Sequence, residues 1–287
     1  MKHAILAVMC ILLFAGSLLA DWNPNDPFKW VQPPDRSPAG MDVKVGPSVP
    51  PGPNAITKVL ADDFECTQKT RITDIHIWGS WRDDFLPVPE PDATGTNMPP
   101  DPGNAKFTLG IWSDIPAVPG PIGGPPEVHS QPGQLLWSQS FDPHTYQVRE
   151  AFQGPEDWYD PNTGEWHNDN HLMAYQYNFL IDPARAFEQE GTANAPVIYW
   201  LSVGVEVVDI EQIAQFGWKT SDQHWNDDAV WRDEFDTAPG PWNELRYPDG
   251  HEFQGESLDL AFVITPEPTT MMLLALGGLA VIWRRRK

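Results

Sequence analysis

Pairs of adjacent aspartates are the residues of this sequence whose type and spacing point most directly to chemistry. The pairs are Asp62-Asp63, Asp83-Asp84 and Asp227-Asp228. Ca²⁺ takes about six to eight oxygen ligands, which loop carboxylates and backbone carbonyls can supply together. The spacing matches no EF-hand, and an isolated aspartate pair is more often a solvated turn. We expect no cofactor, with a stabilising calcium ion as the alternative, and the predicted ligands of that ion are Asp62, Asp63, Asp227 and Asp228.

Tryptophan is the second unusual feature, because 14 of the 287 residues are Trp. Exposed aromatic faces beside Asp, Asn and Gln hold sugar rings in many β-sandwich domains, through apolar stacking and hydrogen bonds. Trp is usually well buried, and strand alternation turns some of these rings inward, so we expect most of them in the core. A carbohydrate-binding platform is the alternative for a minority, and its candidates are Trp78, Trp81, Trp218 and Trp225.

Catalytic patterns are weak by comparison. His167 and His171 are four residues apart, but the stretch lacks the glutamate of the HExxH zinc-protease pattern and is predicted to be a polar loop. No GxSxG, P-loop or dinucleotide-binding pattern occurs. Glycoside hydrolysis needs two carboxylates about 5 to 10 Å apart, and among 40 Asp and Glu residues the sequence selects no pair. We predict that the protein is not an enzyme, with a secreted glycoside hydrolase as an alternative.

The charge of the chain excludes one class of partner. Lys and Arg number 18 against 40 Asp and Glu, which gives a formal net charge of −22 at pH 7. Nucleic acids are held by cationic contacts, so this acidic surface repels them and we exclude DNA and RNA binding. Such a surface suits solubility, divalent cations or cationic partners.

Alternating apolar residues indicate β-strands along much of the chain. The clearest strand is 197–207, in which every odd-numbered residue is apolar. The other predicted strands are 106–112, 175–181 and 258–264, with less regular ones at 71–78 and 134–141. Proline cannot donate to a strand ladder, so the Pro-rich segments within 31–54, 86–103 and 115–133 are predicted loops.

Two local patterns add to this outline. Residues 158–167 predict a hairpin whose Asp-Pro-Asn-Thr-Gly turn brings Trp158 or Tyr159 near Trp166. Residues 183–191 are the one convincing helical pattern. Many strands with proline-rich connections predict an all-β fold, a single antiparallel β-sandwich or jelly-roll-like domain.

The two ends of the chain differ from its middle. Lys2 followed by the apolar stretch 4–15 and small residues predicts a secretory signal peptide over 1–20. Its removal takes Cys10 and leaves Cys66 alone, at the predicted start of a strand, so an intramolecular disulfide is excluded. At the other end, 271–283 is apolar and would span about 20 Å as a helix, short for a hydrocarbon core of about 30 Å. The cations after it predict a transmembrane helix with a cytoplasmic end.

The C-terminal residues resemble a known signal. Pro266-Glu267-Pro268, the apolar run, and Arg284, Arg285 and Arg286 are similar to the PEP-CTERM sorting signal of exported bacterial proteins. That resemblance implies export, a temporary anchor through the C-terminal helix, and processing by an exosortase near Pro-Glu-Pro. The protein would then lie at the cell surface or outside the cell, with the exosortase and the export machinery as partners.

The middle of the chain carries a second resemblance. ADDFECTQKTRITDIHIWGSW, FTLGIWSDIP, FGWKTSDQHWNDDAVW and SLDLAFVI are similar to an uncharacterised passenger domain of PEP-CTERM proteins, spanning about 61–265. The predicted organisation is a signal peptide at 1–20, a Pro-rich arm at 21–55, the β-sandwich at 56–265 and the sorting signal at 266–287. The predicted function is a structural or adhesive surface or matrix protein. The alternative is a carbohydrate-binding module for extracellular polysaccharide.

Overall fold

The computed structural model describes residues 22–47, 57–121, 128–233 and 241–265. The predicted signal peptide and the predicted C-terminal helix lie outside these ranges. Within them, no helix is long and apolar enough to cross a membrane. The strands are β1 Trp30–Gln32, β2 Met41–Pro47, β3 Thr57–Cys66, β4 Arg71–Ile72, β5 Asp74–Trp81, β6 Ala105–Ile115, β7 Gln131–Phe141, β8 Gln147–Asp160, β9 Glu165–Leu180, β10 Phe187–Glu188, β11 Val197–Val207, β12 Phe216–Ser221, β13 Val230–Asp233, β14 Asn243–Glu244, β15 Asp259–Leu260 and β16 Phe262–Ile264.

Most of the strands form two halves of one large sheet, and β4 and β10 pair as a separate two-stranded sheet. One half contains β1, β16, β5, β9, β8, β12 and the start of β2, and the other contains β3, β11, β6, β7, β13 and β14. β2 joins them, because Met41–Val45 pair within the first half and Gly46 and Pro47 pair with β3. Gly46 has φ +99° at this crossing, a conformation that other residues rarely adopt.

The main core lies between the two halves. Alternation along each strand turns one apolar face inward, and the two inward faces meet in a single buried cluster. Phe107 of the second half packs against Tyr177 and Phe216 of the first, with ring centroids 5.1 and 5.2 Å apart. Of the pairings in the described ranges, β2 with β8 is parallel and the others are antiparallel. The all-β prediction is confirmed, and the arrangement is consistent with the predicted β-sandwich.

Most of the predicted strands are confirmed. Residues 197–207 form β11, and 106–112 and 175–181 lie in or at the end of β6 and β9. The hairpin is also confirmed, because β8 and β9 pair with Tyr159 opposite Trp166. Gly164, at φ +73°, closes the turn by donating its N–H to the Asp160 carbonyl at 2.9 Å.

Three local predictions differ from the structure. The helical pattern at 183–191 forms turns and β10, because the Asp182 carboxylate and carbonyl bind the next backbone N–H groups and Phe187 pairs with Ile72. Cys66 ends β3 instead of beginning a strand, and it is buried. The region 21–55, predicted as an arm, contributes β1 and β2 to the sheet. Proline between these strands concealed their pattern.

Five strands close into a narrow ring beside the main core. β5 pairs with β9, β9 with β8, β8 with β2, β2 with β12, and β12 again with β5. A Cβ atom on Gly217 would lie 2.6 Å from Cζ3 of Trp158, so the ring has no space for a larger residue at that position. The ring brings together side chains that are far apart in the sequence.

Candidate functional site

The predicted calcium ligands Asp62 and Asp63 both lie in β3 and are fully buried. Successive strand residues point to opposite faces of a sheet, so the two carboxylates face different surroundings. Asp227 and Asp228 lie on the loop before β13 and are partly buried. The structure therefore does not bring these two pairs together as four ligands of one ion.

Asp62 faces another buried carboxylate. Its Oδ2 accepts hydrogen bonds from Leu260 N at 2.7 Å and from Gln32 Nε2 at 3.0 Å. The same Gln32 nitrogen lies 3.3 Å from Asp259 Oδ2. Burial, with the nearby charges of Asp259 and Asp63, raises the pKa of Asp62 well above its usual value. One of these carboxyl groups therefore carries a proton under conditions in which exposed aspartates are ionised.

Asp63 faces the loop that carries Asp227. Asn226 Nδ2 donates to Asp63 Oδ2, and it also donates to Asp227 Oδ2 at 2.8 Å. Asp63 Oδ1 is buried and has no hydrogen-bond partner among the described residues. Burial raises the pKa of Asp63 to about 9 and, more modestly, that of Asp227. Asp228 instead pairs with Arg246 and accepts from Ser257. We call Asp62, Asp63, Asp227 and Asp259 the acid cluster.

The acid cluster does not have the geometry of a closed metal site. Among the described residues, the potential ligand atoms that come within 4.8 Å of one another as a group belong to Asp42, Glu156 and His171. Those residues lie in the strand ring, where the ammonium of Lys219 already contacts both carboxylates. Calcium at the predicted aspartates stays a prediction.

Three of the four candidate tryptophans lie in the interior. The exposed fractions of Trp78, Trp81 and Trp218 are 5%, 0% and 0%. Trp81 Nε1 donates to the Tyr177 hydroxyl at 3.0 Å, and Trp218 Nε1 donates to a backbone carbonyl. Trp225 is partly exposed and packs edge-on against Trp30. Of the four predicted rings, Trp225 offers accessible surface to a ligand.

A separate cleft of about 710 Å³ carries other aromatic rings. Its volume lies within the range of about 300 to 1,000 Å³ that is usual for ligand sites. The β8–β9 hairpin provides Tyr159, and β13 with the segment after β14 provides Trp231 and Tyr247. We call this site the aromatic cleft. Its rings come from Tyr159, Trp231 and His129, which are partly exposed, and from Trp242 and Tyr247, which are buried with exposed fractions of 3% and 8%.

Polar groups lie among the rings of the aromatic cleft. The lining includes the side chains of Asn243, Glu244, Arg246, Asp249 and Gln254. Burial raises the pKa of the Tyr159 phenol, so its hydroxyl remains a protonated donor. Lys58 Nζ lies 4.4 Å from the centroid of the Trp231 ring, which adds a cation–π contact at the edge of the cleft. Aromatic surface and fixed hydrogen-bonding groups therefore occur at one open site.

The predicted polar loop at His167 and His171 is a strand in the structure. Both residues belong to β9, where His167 is partly exposed and bonds Glu165 at 2.6 Å. His171 is buried in the ring, where its Nε2 lies 2.6 Å from Ser80 Oγ and 3.0 Å from Asp42 Oδ2. A Ser-His-Asp relay uses both ring nitrogens, one for each partner, whereas these contacts share one nitrogen. The arrangement is not that of a relay.

Apart from His171, the polar and charged residues that meet in the strand ring were not predicted as site residues from the sequence. Lys219 lies in FGWKTS, a strand in which every residue is buried. The protein as a whole has few Lys and Arg residues compared with Asp and Glu. A lysine within such a segment requires a buried acidic partner, which is a signal that the sequence does contain. Which acid provides that partner depends on the closure of the ring, and strand alternation alone does not determine it.

These features define an acidic all-β domain with buried carboxylates and an open aromatic cleft. The chain belongs to the family described as Domain of unknown function (DUF7901), whose model matches residues 28–265. The match begins before β1 and ends directly after β16, so it includes the two strands of the predicted arm. No curated protein and no solved structure matches the chain.

The tail matches a second family model. Residues 265–287 match the PEP-CTERM protein-sorting motif, which confirms the resemblance that Pro266, Glu267, Pro268 and the arginines carry. This motif implies an exported protein that an exosortase processes and that lies at the surface or outside the cell. Residues 266–287 themselves lie outside the described ranges.

Proposed function

We propose that the protein is a non-enzymatic adhesive protein of the cell surface or extracellular matrix, and that its aromatic cleft binds extracellular polysaccharide. The observation that carries the proposal is the composition of the cleft, in which the partly exposed rings of Tyr159 and Trp231 lie beside amide, carboxylate and guanidinium groups. Sugar rings offer apolar faces and hydroxyl edges, and such a site can contact both.

The charges of the chain and of the cleft favour a neutral polysaccharide over an acidic one. The chain has a formal net charge of −22, so an acidic polymer would be repelled at long range. Arg246, the guanidinium in the cleft lining, is already paired with Asp228 and lies 3.3 Å from Glu244. The cleft therefore has little free positive charge for a uronic acid or a sulfate group.

A polysaccharide pull-down and a glycan array with the purified full chain in detergent test this proposal. We expect binding to neutral glycans, and we expect Trp231→Ala to weaken it about tenfold, because one lost ring contact is worth roughly 1.4 kcal/mol. Phe85→Ala is the matched control, since Phe85 is 51% exposed and does not line the cleft. Equal binding by both variants would contradict the assignment to the cleft.

The same samples separate the alternatives. Binding that requires calcium, and that is lost with a chelator and in Asp62→Asn, would support the calcium-stabilised module. Release of reducing sugar ends during incubation would support a secreted glycoside hydrolase instead. Failure to bind any glycan in a broad panel would favour a purely structural surface protein.

A further inference from the structure

The strand ring encloses a charged cluster that the proposed function does not use. Each of the five strands contributes one side chain to it, and all are almost completely buried. We call it the ring cluster, and its members are Asp42 of β2, Ser80 of β5, Glu156 of β8, His171 of β9 and Lys219 of β12. Ionisable groups are rarely buried together unless they are paired or reactive.

Lys219 is the centre of the ring cluster. Its Nζ contacts Oε2 of Glu156 directly and lies 3.8 Å from Oδ2 of Asp42. Beyond these ion pairs, neither Lys219 Nζ nor Glu156 Oε2 has a hydrogen-bond partner in the described part of the chain. A Cβ atom on Gly40 would lie 2.7 Å from Nζ, so a larger residue at position 40 would clash with the lysine side chain. The amine and the carboxyl group are thus held against each other.

Burial changes which protonation state these groups prefer. Desolvation lowers the pKa of Lys219 to about 8, although Asp42 and Asp35 act in the opposite direction. In a medium of low polarity, proton transfer from an ammonium to a carboxylate removes two charges that water no longer stabilises. A neutral amine in contact with a neutral carboxylic acid is the pair that can condense to an amide.

We propose that Lys219 and Glu156 form an intramolecular isopeptide bond inside the strand ring, with Asp42 as the proton carrier. Lys219 Nζ attacks Cδ of Glu156, and the Asp42 carboxylate takes a proton from Nζ as the C–N bond forms. Asp42 then returns that proton to the departing hydroxyl group of Glu156. The C–O bond breaks, one water molecule leaves, and Asp42 ends in its original state.

The position of Asp42 fits this role. β2 lies between β12 and β8, and the β2–β12 register puts Asp42 directly opposite Lys219. His171 Nε2 at 3.0 Å and Ser80 behind it hold the Asp42 carboxyl group in place. Holding the reactants in contact raises the effective concentration by several orders of magnitude, and the dry interior opposes hydrolysis of the amide.

The cross-link would stabilise the fold by covalent loop closure, as a disulfide does. Cys66 is the free cysteine of the described chain, so these strands have no disulfide to join them. An amide between Lys219 and Glu156 closes a loop of more than sixty residues and joins β12 to β8 across β2. Closing a loop of this length restricts the unfolded chain, which stabilises the fold by several kcal/mol in disulfides of comparable span.

Peptide mapping of the full chain by trypsin and mass spectrometry tests the proposal directly. Cleavage at arginine and unmodified lysine separates fragment 150–185, with Glu156, from fragments 186–219 and 220–232. We expect trypsin not to cut at Lys219, and we expect 150–185 joined to 186–232 with a mass one water below their sum. Fragmentation should place the link between Glu156 and Lys219. Processing at the chain ends does not affect this readout.

Variants and an internal control sharpen the result. Lys44 pairs with Asp160 at 2.7 Å and is also buried, so cleavage after Lys44 should remain complete in the same digest. Lys219→Arg keeps the charge but cannot form the amide, and should release fragment 150–185. Asp42→Asn should leave Lys219 and Glu156 unreacted, and full cross-linking in that variant would overturn the role of Asp42. Quantitative cleavage at Lys219 in the unaltered protein would overturn the proposal.

Discussion

The molecule buries carboxyl groups in two regions, the ring cluster and the acid cluster, and the two regions stabilise them differently. The ring cluster places one lysine between two carboxyl groups, and its amine lies within 3.8 Å of both. In the acid cluster, Asp62 and Asp63 receive hydrogen bonds from Gln32, Asn226 and backbone amides, which are neutral donors, and Asp259 also bonds the His224 imidazole at 2.9 Å. Loss of hydration is the largest influence on these carboxyl groups, so the acid cluster responds through its protonation, and burial raises its pKa values.

This difference shows that burial alone does not determine how a carboxylate loses its charge. A buried acid with a neighbouring amine can lose its charge by transferring a proton or by forming a bond, whereas a buried acid among acids takes its proton from solvent. The first region should therefore be insensitive to pH once it is formed, and the second should make the fold depend on pH. Changes to each region test that contrast.

The largest effect is expected when the ring cluster loses the side-chain amine of Lys219. Lys219→Met leaves Asp42 and Glu156 buried together without a counter-charge, and should lower the free energy of unfolding by about 3 to 5 kcal/mol or more. Chemical denaturation of the purified protein measures this loss. The triple change Lys219→Met, Glu156→Gln and Asp42→Asn should restore part of it, because no charge then stays buried. An equal loss in both variants would mean that packing or the lost cross-link, not charge, dominates the stability of the ring.

The acid cluster should produce a smaller effect that depends on pH. Asp63 has a pKa of about 9 in the folded protein against 3.8 as its reference value, so the folded state binds more protons between these values. Its contribution to stability is complete below about pH 3.8 and is lost as the pH rises towards 9. The expected slope is at most about 1.4 kcal/mol per pH unit. Denaturant titrations at several pH values measure it.

Asp63→Asn should flatten this decline, since the asparagine carbonyl can still accept from Asn226 and carries no charge. Asp92→Asn is the matched control, because it changes the net charge equally at an exposed site. Hydrogen bonds from Thr94 and Thr96 lower the pKa of Asp92, so its removal should not flatten the decline above pH 5. If both variants flattened the curve alike, general charge repulsion would be the cause.

The smallest effect is expected at an exposed ion pair. Lys106 and Glu206 lie 3.2 Å apart on neighbouring strands, and the Glu206 side chain is 63% exposed. Water and salt screen such pairs, so Lys106→Ala should change the free energy of unfolding by no more than about 1 kcal/mol. A loss similar to that of Lys219→Met would show that exposure does not explain the contrast between the clusters.

Short sequence patterns predicted the strands and turns whose formation depends on neighbouring residues. The period of two in 197–207 identified β11, and the Asp-Pro-Asn-Thr-Gly turn identified the hairpin that places Tyr159 at the aromatic cleft. The short pattern at 183–191 was misleading, since a segment of this length gains too few helical hydrogen bonds to outweigh tertiary pairing. The family matches agree with the resemblances at the middle and at the tail.

The sites were harder to predict because they depend on which distant strands become neighbours. Asp62 and Asp63 are adjacent in sequence and stand on opposite faces, while Asp42, Glu156 and Lys219 are far apart in sequence and meet inside the ring. Alternation assigns each residue to a face but does not say what lies opposite that face. The buried Trp81 and Trp218 illustrate the same point, because composition cannot distinguish a core indole from an exposed one.

The position of β16 has a mechanical consequence. β16 lies between β1 and β5 and ends at Ile264, one residue before the matched sorting motif begins. Thr265 is itself bonded to Asp74, through its N–H to the carbonyl and its hydroxyl to the carboxylate. A tether that pulls on the tail along this strand loads the hydrogen bonds on both sides of β16 in shear, so that they must break together. Unzipping would break them one at a time under a smaller force.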